Sequence, residues 1–324
     1  MGNRMRRNPI GTDLEVRTLR QFLAVTEAGS MTRAAEQLGV AQPALSQQMQ
    51  RLERTLNRTL LQRHARGVYL TSEGETLAKH ARDILSAVDR ARHEILDPPG
   101  EVNGTVVIGM PMSAAELFAL DFIGHVRRRH PGLRILLHDR SSEEVNSMLL
   151  DGKLDLGLTF YRPETTWISA KPLYGESLAF AIPATFGAVA PKTKFAQMKR
   201  LGEVPLALPT HIHGLRRTLE HEASAARVSL DVRFEFASIH LLREAVGCGL
   251  AASVLPMSLL AAFVPGARLN VSRLVSPAFA RTLYVANSLR RPLSPSLSEA
   301  RSLLEETALA AIARAPMAAF YRKV

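Results

Sequence analysis

The fold of the N-terminal region follows from the segment QPALSQQMQRLE, which spans residues 42–53. Apolar residues recur here at steps of four, three and four, the spacing of a buried helical stripe: Leu45, Met49, Leu52 and Leu56. The opposite side carries mostly uncharged hydrogen-bonding groups, which can meet base edges in the major groove of DNA. A polar surface helix is the alternative, although a solvent-facing side would usually carry more Glu and Lys.

Two shorter helices are predicted ahead of this segment. Residues 17–28 form an amphipathic run, and Gly29 follows where glycine commonly ends a helix. Ser30 can cap a second helix, which Gly39 ends. Pro43 falls in the first turn of the third helix, where its missing N–H costs no hydrogen bond. Two short helices, a glycine-containing turn and a polar-faced third helix indicate a helix-turn-helix.

A two-stranded wing is predicted by RHARGVYLT, residues 63–71, where basic and apolar residues alternate around a glycine. Residues 19–75 resemble the winged helix-turn-helix of LysR-type transcriptional regulators through the motifs FLAV, RAAEQL, AQPALS and RGVYLTSEGE. The variant AQPALSQQ is similar to the nitrogen assimilation control branch of that family. Two positions depart from the pattern, because Ala41 stands where the family usually has Ser or Thr, and Gln47 where it often has Arg.

The resemblance implies that helix 42–56 enters the major groove. It also implies that DNA or its flanking phosphates are contacted by the following residues: Thr32, Gln42, Pro43, Ser46, Gln47, Gln50 and, on the wing, Arg66. An amide at position 47 favours adenine, whereas an arginine would favour guanine. Residues 1–71 hold eleven arginines and five acidic residues, a net of +6 within the +11 of the chain. This concentration of positive charge suits binding to phosphates.

A long helix is predicted over residues 72–96, opened by a capping box of Ser72 and Glu75. Apolar residues follow at steps of four and three: Leu77, Ala81, Ile84, Val88, Ala91 and Ile95. Packing on its own domain is one interpretation, but so narrow a seam suits one partner helix, and the family's linker helices pair antiparallel. We therefore expect self-association through 72–96, as a dimer or a tetramer. The sequence DPPG then predicts a hinge at 97–101.

The rest of the chain is predicted to be α/β, because short apolar strands alternate with amphipathic helices. It resembles the family's effector domain, a two-lobed module similar to periplasmic type II solute-binding proteins. The predicted fold is thus a winged helix-turn-helix, a long linker helix and a two-lobed α/β effector domain. The expected boundaries are 14–71 for the DNA-binding domain, 102–162 with 267–315 for lobe 1, and 163–266 for lobe 2. The crossings between lobes are expected near Arg162 and Pro265.

A ligand is expected beyond the carboxyl ends of the strands, where helix N-termini supply free N–H groups. By resemblance, five residues at such places face the effector: Ser113, Ser142, Phe160, Thr210 and His211. Helix capping would explain both serines and the threonine equally well. Amides and hydroxyls at helix starts favour a small anion such as a carboxylate, and no other cofactor is expected.

Other classes of function lack support in the sequence. No G-x-S-x-G elbow, Walker A loop or complete G-x-G-x-x-G motif occurs, so we expect no enzyme and no catalytic residues. His211 and His213 have no nearby third ligand, which disfavours a metal site. No run approaches the ~18 apolar residues of a membrane span and no secretory signal is present, which predicts a cytoplasmic protein. Cys248, the only cysteine, is expected to be buried and inert rather than a redox sensor.

The resemblance therefore implies a transcriptional regulator in which an effector rearranges paired dimers, changing DNA bending and contact with RNA polymerase. The rival class is a solute-binding or enzymatic α/β protein whose N-terminal helices only dimerise it. A transport receptor would need an export signal, and an enzyme would need a catalytic constellation. Neither is found in the sequence.

Overall fold

A computed structural model describes residues 14–64, 67–96, 102–189, 195–211, 213–260, 268–274, 280–289, 293–314 and 321–323. The chain divides into two compact units, an N-terminal unit over Met1–Asp97 and a C-terminal unit over Pro98–Val324. Each unit buries hydrophobic clusters of its own. The predicted hinge at 97–101 lies outside the described residues.

The N-terminal unit is a winged helix-turn-helix followed by a long helix. Its elements are α1 (Val16–Ala28), α2 (Met31–Leu38), α3 (Gln42–Leu56), β1 (Leu61–His64), β2 (Gly67–Leu70) and α4 (Ser72–Leu96). The predicted stripe of α3 is buried at Leu45, Met49 and Leu52. Both α1 and α2 end at glycines in the left-handed conformation, which avoids the strain that a Cβ would introduce there. β1 and β2 pair antiparallel, as expected for a wing.

Helix α4 begins differently from the predicted capping box. Thr71 Oγ1 accepts a hydrogen bond from Gly74 N (3.0 Å) and donates one to Thr59 O (2.7 Å). Ser72 is already helical, and its hydroxyl donates to Glu73 instead (2.8 Å). The Ser72–Glu75 box is therefore wrong by one residue at the cap, because the chain leaving β2 places Thr71 at the helix start.

The predicted seam of α4 has two environments. Leu77 and Ala81 are buried in the core of the N-terminal unit, as the alternative interpretation required. Ile84, Val88 and Ile95 are 39%, 38% and 80% exposed. The first turns of α4 therefore stabilise their own unit, and only the later part of the seam is left open within that unit.

The C-terminal unit alternates strands and helices. In chain order its elements are β3 (Gly104–Met110), α5 (Met112–Arg129), β4 (Leu133–Asp139), α6 (Ser142–Leu150), β5 (Leu156–Thr159), β6 (Ile168–Pro183), β7 (Phe195–Ala196), β8 (Leu206–Pro209), α7 (Gly214–Ala225), β9 (Val232–Phe236), α8 (Ile239–Gly247), β10 (Ser253–Pro256), α9 (Met257–Leu260), β11 (Leu269–Leu274), β12 (Ala280–Ser288), α10 (Pro295–Arg314) and β13 (Tyr321–Lys323). The main sheet has the order β4-β3-β5-β12-β6-β11-β7, and β10 and β13 also pair with β6. β8 and β9 pair in parallel, with a bridge from Leu206 to Ala252.

Strand β6 joins the two lobes. Its residues up to Ser177 pair with β12, whereas those from Leu178 pair with β10 and β11. Tyr174 packs in the core around α5 and α10, and Phe180 packs in the core beneath α7. The sheet partners therefore change near Ser177, well after the crossing expected near Arg162, because one continuous strand serves both lobes and no linker marks the transition. Pro265 lies outside the described residues.

Cys248 differs from expectation. It lies exposed at the C-terminal end of α8, so the prediction of a buried thiol is wrong. Ala245 and Val246 occupy the buried positions of that turn instead. No helix within the described ranges is both long and apolar enough to cross a membrane.

Candidate DNA-contacting surface and ligand pocket

The predicted DNA-contacting residues lie mostly at the surface of the N-terminal unit. Gln42, Pro43, Gln47 and Gln50 are exposed along α3, and Thr32 is exposed at the start of α2. Ser46 is half-buried, and its Oγ accepts a hydrogen bond from Arg63 Nη1 of the wing at 2.8 Å. Arg66 lies outside the described residues. The α3 residues thus form one uncharged polar surface, bordered by an arginine that sequence reasoning did not single out.

Contacts on the other sides of α3 fix its orientation. Gln48 Nε2 donates to Thr18 Oγ1 of α1 at 2.7 Å. Glu53 Oε1 accepts from the backbone N–H groups of Leu60 (2.8 Å) and Leu61 (3.0 Å) at the start of the wing. These residues hold α3 against α1 and β1, and the exposed side chains of Gln42, Gln47 and Gln50 make no hydrogen bond within the described residues.

A cavity of about 260 Å³ lies between the lobes of the C-terminal unit. Residues at the starts of four helices (α5, α6, α7 and α8) line it: residues 111–113, 141–144, His213, Leu215 and residues 238–239. Each helix start presents partial positive charge from N–H groups that have no partner within the helix. The helix starts therefore favour an anion, and two carboxylates of the wall, Glu143 and Glu144, are paired with Arg217 and Arg140.

Three of the five predicted effector residues meet in this cavity. Ser113, Ser142 and Phe160 line it, although they follow different strands. Thr210 and His211 are not among its described lining residues, and His211 is exposed. Backbone pairing of Thr210 N with Phe236 O (3.2 Å) extends the β8–β9 pairing. Their role as effector contacts stays a prediction.

The two predicted serines also support the fold. Ser142 Oγ accepts a hydrogen bond from the buried Phe160 N at 3.0 Å, which ties α6 to the end of β5. The cap of α6 is the preceding residue, Ser141, which forms a capping box with Glu144. Ser113 Oγ accepts from Arg281 Nη2 at 3.0 Å. Both hydroxyls keep a hydrogen that could be donated into the cavity.

His213 lies in the cavity and was considered in the sequence only as a metal ligand. Its Nδ1 accepts a hydrogen bond from Leu215 N at 3.2 Å, so the ring caps α7 and carries its proton on Nε2. Burial is the main cause that lowers the pKa of His213 from 6.5; the carboxylate of Glu143 opposes this shift, and Arg281 and Arg217 add to it. Burial likewise raises the pKa of the neighbouring Tyr161. Both groups are neutral hydrogen-bond donors near pH 7.

Arg281 on β12 is the charged group that sequence reasoning missed. Its Nε and Nη2 donate to Glu176 Oε2 on β6 at 3.0 and 2.8 Å. Its guanidinium carbon lies 3.4 Å from the centroid of the Phe160 ring. No local motif marks this residue, because the strand register brings it to a partner 105 positions away in the chain.

Two ion pairs connect the lobes beside the cavity. Arg243 of α8 donates to Glu116 of α5 at 2.7 Å, with only 10% of the arginine side chain exposed. Arg217 of α7 lies 3.0 Å from Glu143 of α6 in a more exposed pair. Within the described residues, no three His, Cys, Asp or Glu side chains group as metal ligands would. The arrangement is suited to binding a small molecule between two lobes.

Together these features define a class of protein: a winged helix-turn-helix joined to a two-lobed ligand-binding domain. The model "Bacterial regulatory helix-turn-helix protein, lysR family" matches residues 16–75, and the model "LysR substrate binding domain" matches residues 99–309. The chain belongs to the LysR family of DNA-binding transcriptional regulators, whose members carry an effector-binding domain and are not enzymes.

Individual proteins that are similar to this chain are consistent with its membership of this family. The nitrogen assimilation regulatory protein nac of Klebsiella aerogenes is 30% identical over 90% of this chain and 94% of its own. The activator CmpR of Synechocystis is 28% identical over 74% and 78% of the two chains. A full-length OxyR variant of Pseudomonas aeruginosa has the same fold, with a TM-score of 0.71 and 20% identity over 91% and 97% of the two chains. The predicted resemblance to the LysR family and to its nitrogen assimilation branch is confirmed.

Proposed function

We propose that α3 binds in the major groove of a specific operator through its exposed uncharged side chains. Gln42, Gln47 and Gln50 would meet base edges, with Thr32, Pro43 and Ser46 at the flanking phosphates. The observation that carries this proposal is that α3 is fixed by Gln48 and Glu53 on its inner sides while its outer polar surface is exposed. Arg66 of the wing would reach phosphate or the adjacent minor groove.

The proposed regulator associates with itself through the later part of α4. Ile84, Val88 and Ile95 are apolar and exposed in the N-terminal unit, at a spacing that suits one partner helix. Two copies would place two reading helices on a pseudo-palindromic site, and tetramers would pair two such dimers. The family resemblance supports action in the cytoplasm together with RNA polymerase.

The proposed effector is a small anion such as a carboxylate, bound in the cavity between the lobes. Four helix starts line this cavity, and Arg281 contributes a cation to its wall. The volume of about 260 Å³ suits a compact molecule. Ser113, Ser142, Phe160 and His213 would contact it, with Thr210 and His211 as further candidates from the family resemblance.

Fluorescence anisotropy tests the DNA-binding proposal. The purified protein is titrated with its own upstream intergenic DNA and with a random duplex, at several salt concentrations. We expect binding to the upstream DNA to be at least ~10³-fold tighter than to the random duplex, with a steep salt dependence. Equally weak binding to the upstream DNA, the random duplex and a genomic fragment library would contradict a role as a sequence-specific regulator.

Substitution of Gln47 tests the reading surface itself. Gln47→Ala should cost about 1–3 kcal/mol on the operator and relax the preference at one base pair. Gln37→Ala, an exposed glutamine of α2 outside the proposed contacts, is the matched control and should bind like the wild type. An equal loss for Gln47→Ala on operator and random DNA would contradict base reading by this residue.

The oligomer proposal is tested by light scattering after size-exclusion chromatography. Val88→Asp should shift the protein towards the monomer, because a charge would be buried in an apolar helix pair. Thr76→Asp, which lies exposed on the same helix but outside the seam, should leave the mass unchanged. An unchanged mass for Val88→Asp would exclude this part of α4 as the interface.

A further inference from the structure

Arg281 and Glu176 face each other across two strands at the point where β6 passes between the lobes. They are register partners in the β12–β6 ladder. The next residue of β6 is Ser177, after which β6 changes its sheet partners and enters the core of lobe 2. Arg281 also lines the ligand cavity. The Arg281–Glu176 pair therefore joins the cavity to the strand crossover, the point near Ser177 where β6 passes from one lobe to the other.

Glu176 is fully enclosed and its charge is balanced by identifiable donors. Its side chain is 0% exposed. Oε2 accepts both hydrogen bonds from Arg281, and Oε1 accepts from the backbone N–H of Ser258 on α9 at 3.0 Å. A buried carboxylate that loses its cation is strongly destabilised, so any change at Arg281 alters the energy of the Glu176 carboxylate.

Arg281 keeps part of its hydrogen-bonding capacity for the cavity. Nε and Nη2 are engaged by Glu176, and Nη2 also donates to Ser113. Among the described residues no acceptor meets Nη1. The guanidinium is held against Phe160, and 16% of the side chain is exposed. A ligand oxygen that enters the cavity could therefore be met by a prepositioned N–H group.

We propose that Arg281 receives the carboxylate of the effector, and that the ligand thereby competes with Glu176 for the guanidinium at the strand crossover. This inference rests on the proposed binding of a small anion. A carboxylate bound at Nη1 draws the positive charge of Arg281 away from Glu176. The hydrogen bonds that Glu176 accepts from Arg281 and from the N–H of Ser258 then change. Because Ser258 belongs to lobe 2, this competition conveys ligand binding to the joint between the lobes.

Arg140 is the other arginine in the cavity wall and provides a matched comparison. It lies at the rim with 47% of its side chain exposed, 4.0 Å from Glu144, and its Nη1 donates to the carbonyl of Asp139. Water screens a charge at such a position, whereas the enclosed Arg281 acts through a lower dielectric. Arg281 should therefore contribute more to anion affinity than Arg140.

The experiment uses the full-length protein and four sodium salts as probes: acetate, succinate, benzoate and phosphate, at constant ionic strength. Dissociation constants are measured by calorimetry for the wild type and for Glu176→Gln, Arg281→Gln and Arg140→Gln. We expect at least one carboxylate probe to bind the wild type and to bind Glu176→Gln at least ~10-fold more tightly, because the competing charge is gone. Arg281→Gln should weaken that binding at least ~10-fold, and Arg140→Gln less than ~3-fold.

A second variant guards against misfolding of Arg281→Gln, which leaves Glu176 buried without its cation. The double variant Glu176→Gln, Arg281→Gln contains no lone buried charge and should fold while binding the probe as weakly as Arg281→Gln. The effect of ligand binding on the joint between the lobes is measured as the change in operator affinity when the probe is added. That change should be present in the wild type and lost in Glu176→Gln, although the latter binds the probe.

The outcomes separate this inference from the function on which it rests. Retention of probe binding by the double variant, or a larger loss in Arg140→Gln, would overturn Arg281 as the receptor while leaving an anion pocket in place. If adding the probe changed the operator affinity of Glu176→Gln as much as that of the wild type, Glu176 would not convey ligand binding to the joint between the lobes. Failure of every probe to bind both the wild type and Glu176→Gln would instead refute the anion pocket, and the inference with it.

Discussion

On α3 the side chains of Gln42, Gln47 and Gln50 are exposed and bind nothing within the described residues, whereas in the cavity Ser142, His213 and Arg281 each hold a structural partner. The three glutamines of the proposed DNA-contacting surface are thus separate from the contacts that stabilise their unit. The cavity uses the same side chains for both purposes. Substitutions in the two regions should therefore differ in whether they affect stability, function or both.

The largest expected effect concerns packing in the N-terminal unit. A Cβ at Gly74 would collide with the backbone carbonyl oxygen of Leu60, which neither chain segment can avoid without shifting. Gly74→Ala should therefore lower the free energy of unfolding by about 3 kcal/mol and disturb DNA binding only through folding. Gly124→Ala is the control, because its Cβ would have only an ordinary contact with Arg128 and helical alanine is favoured over glycine. Urea denaturation monitored by circular dichroism measures both, and equal stability of the two variants would contradict the predicted clash.

Ser142→Ala should affect stability and ligand binding together. The buried N–H of Phe160 would lose its acceptor, which should cost about 1–3 kcal/mol in unfolding free energy. Ser298→Ala, at an exposed position of α10, should change that free energy by less than about 0.5 kcal/mol. Thermal unfolding and probe calorimetry on the same samples measure both effects. If Ser142→Ala had the stability of the wild type, the side chain of Ser142 would be as free of a structural role as the exposed glutamines of α3.

His213 should make the stability of the C-terminal unit depend on pH. Burial lowers the pKa of His213 below its ordinary value of 6.5, so the folded protein favours the neutral ring. The resulting stabilisation is present above pH 6.5 and is lost as the pH falls through the lowered folded pKa. His213→Asn keeps a helix cap without a titratable group and should flatten the dependence of unfolding free energy on pH as the pH falls below 6.5. His80→Asn, at an exposed position of α4, is the control and should show the same dependence of unfolding free energy on pH as the wild type. A similar flattening in His80→Asn would contradict the assignment to His213.

The smallest expected effect completes the comparison. The double substitution Gln47→Ala, Gln50→Ala should change the unfolding free energy by less than about 0.5 kcal/mol, because neither side chain has a partner among the described residues. Its effect should appear only in operator affinity. A loss of stability beyond about 1 kcal/mol would mean that the proposed DNA-contacting surface also carries structural contacts.

Local patterns were sufficient for the three helices of the helix-turn-helix. The spacing of Leu45, Met49 and Leu52 and the glycines that end α1 and α2 act within a few residues, so sequence predicted these helices correctly. The capping residue of α4 was misassigned by one position, since the placement of Thr71 depends on the path of the wing. The burial of Leu77 and Ala81 was left open for a similar reason, because a 4-3 repeat describes a helical face but not its neighbour.

The sequence by itself determined the family, the helix-turn-helix, the exposed surface of α3 and the strand ends at Ser113, Ser142 and Phe160, since each depends on short-range periodicity or on a motif. Only the tertiary structure decided the rest of the cavity. Arg281 meets Glu176 through the register of two strands, and His213 reaches the cavity through the turn that starts α7. The physical reason is that burial and charge pairing depend on neighbours in space, and the neighbours of Arg281 are distant along the chain.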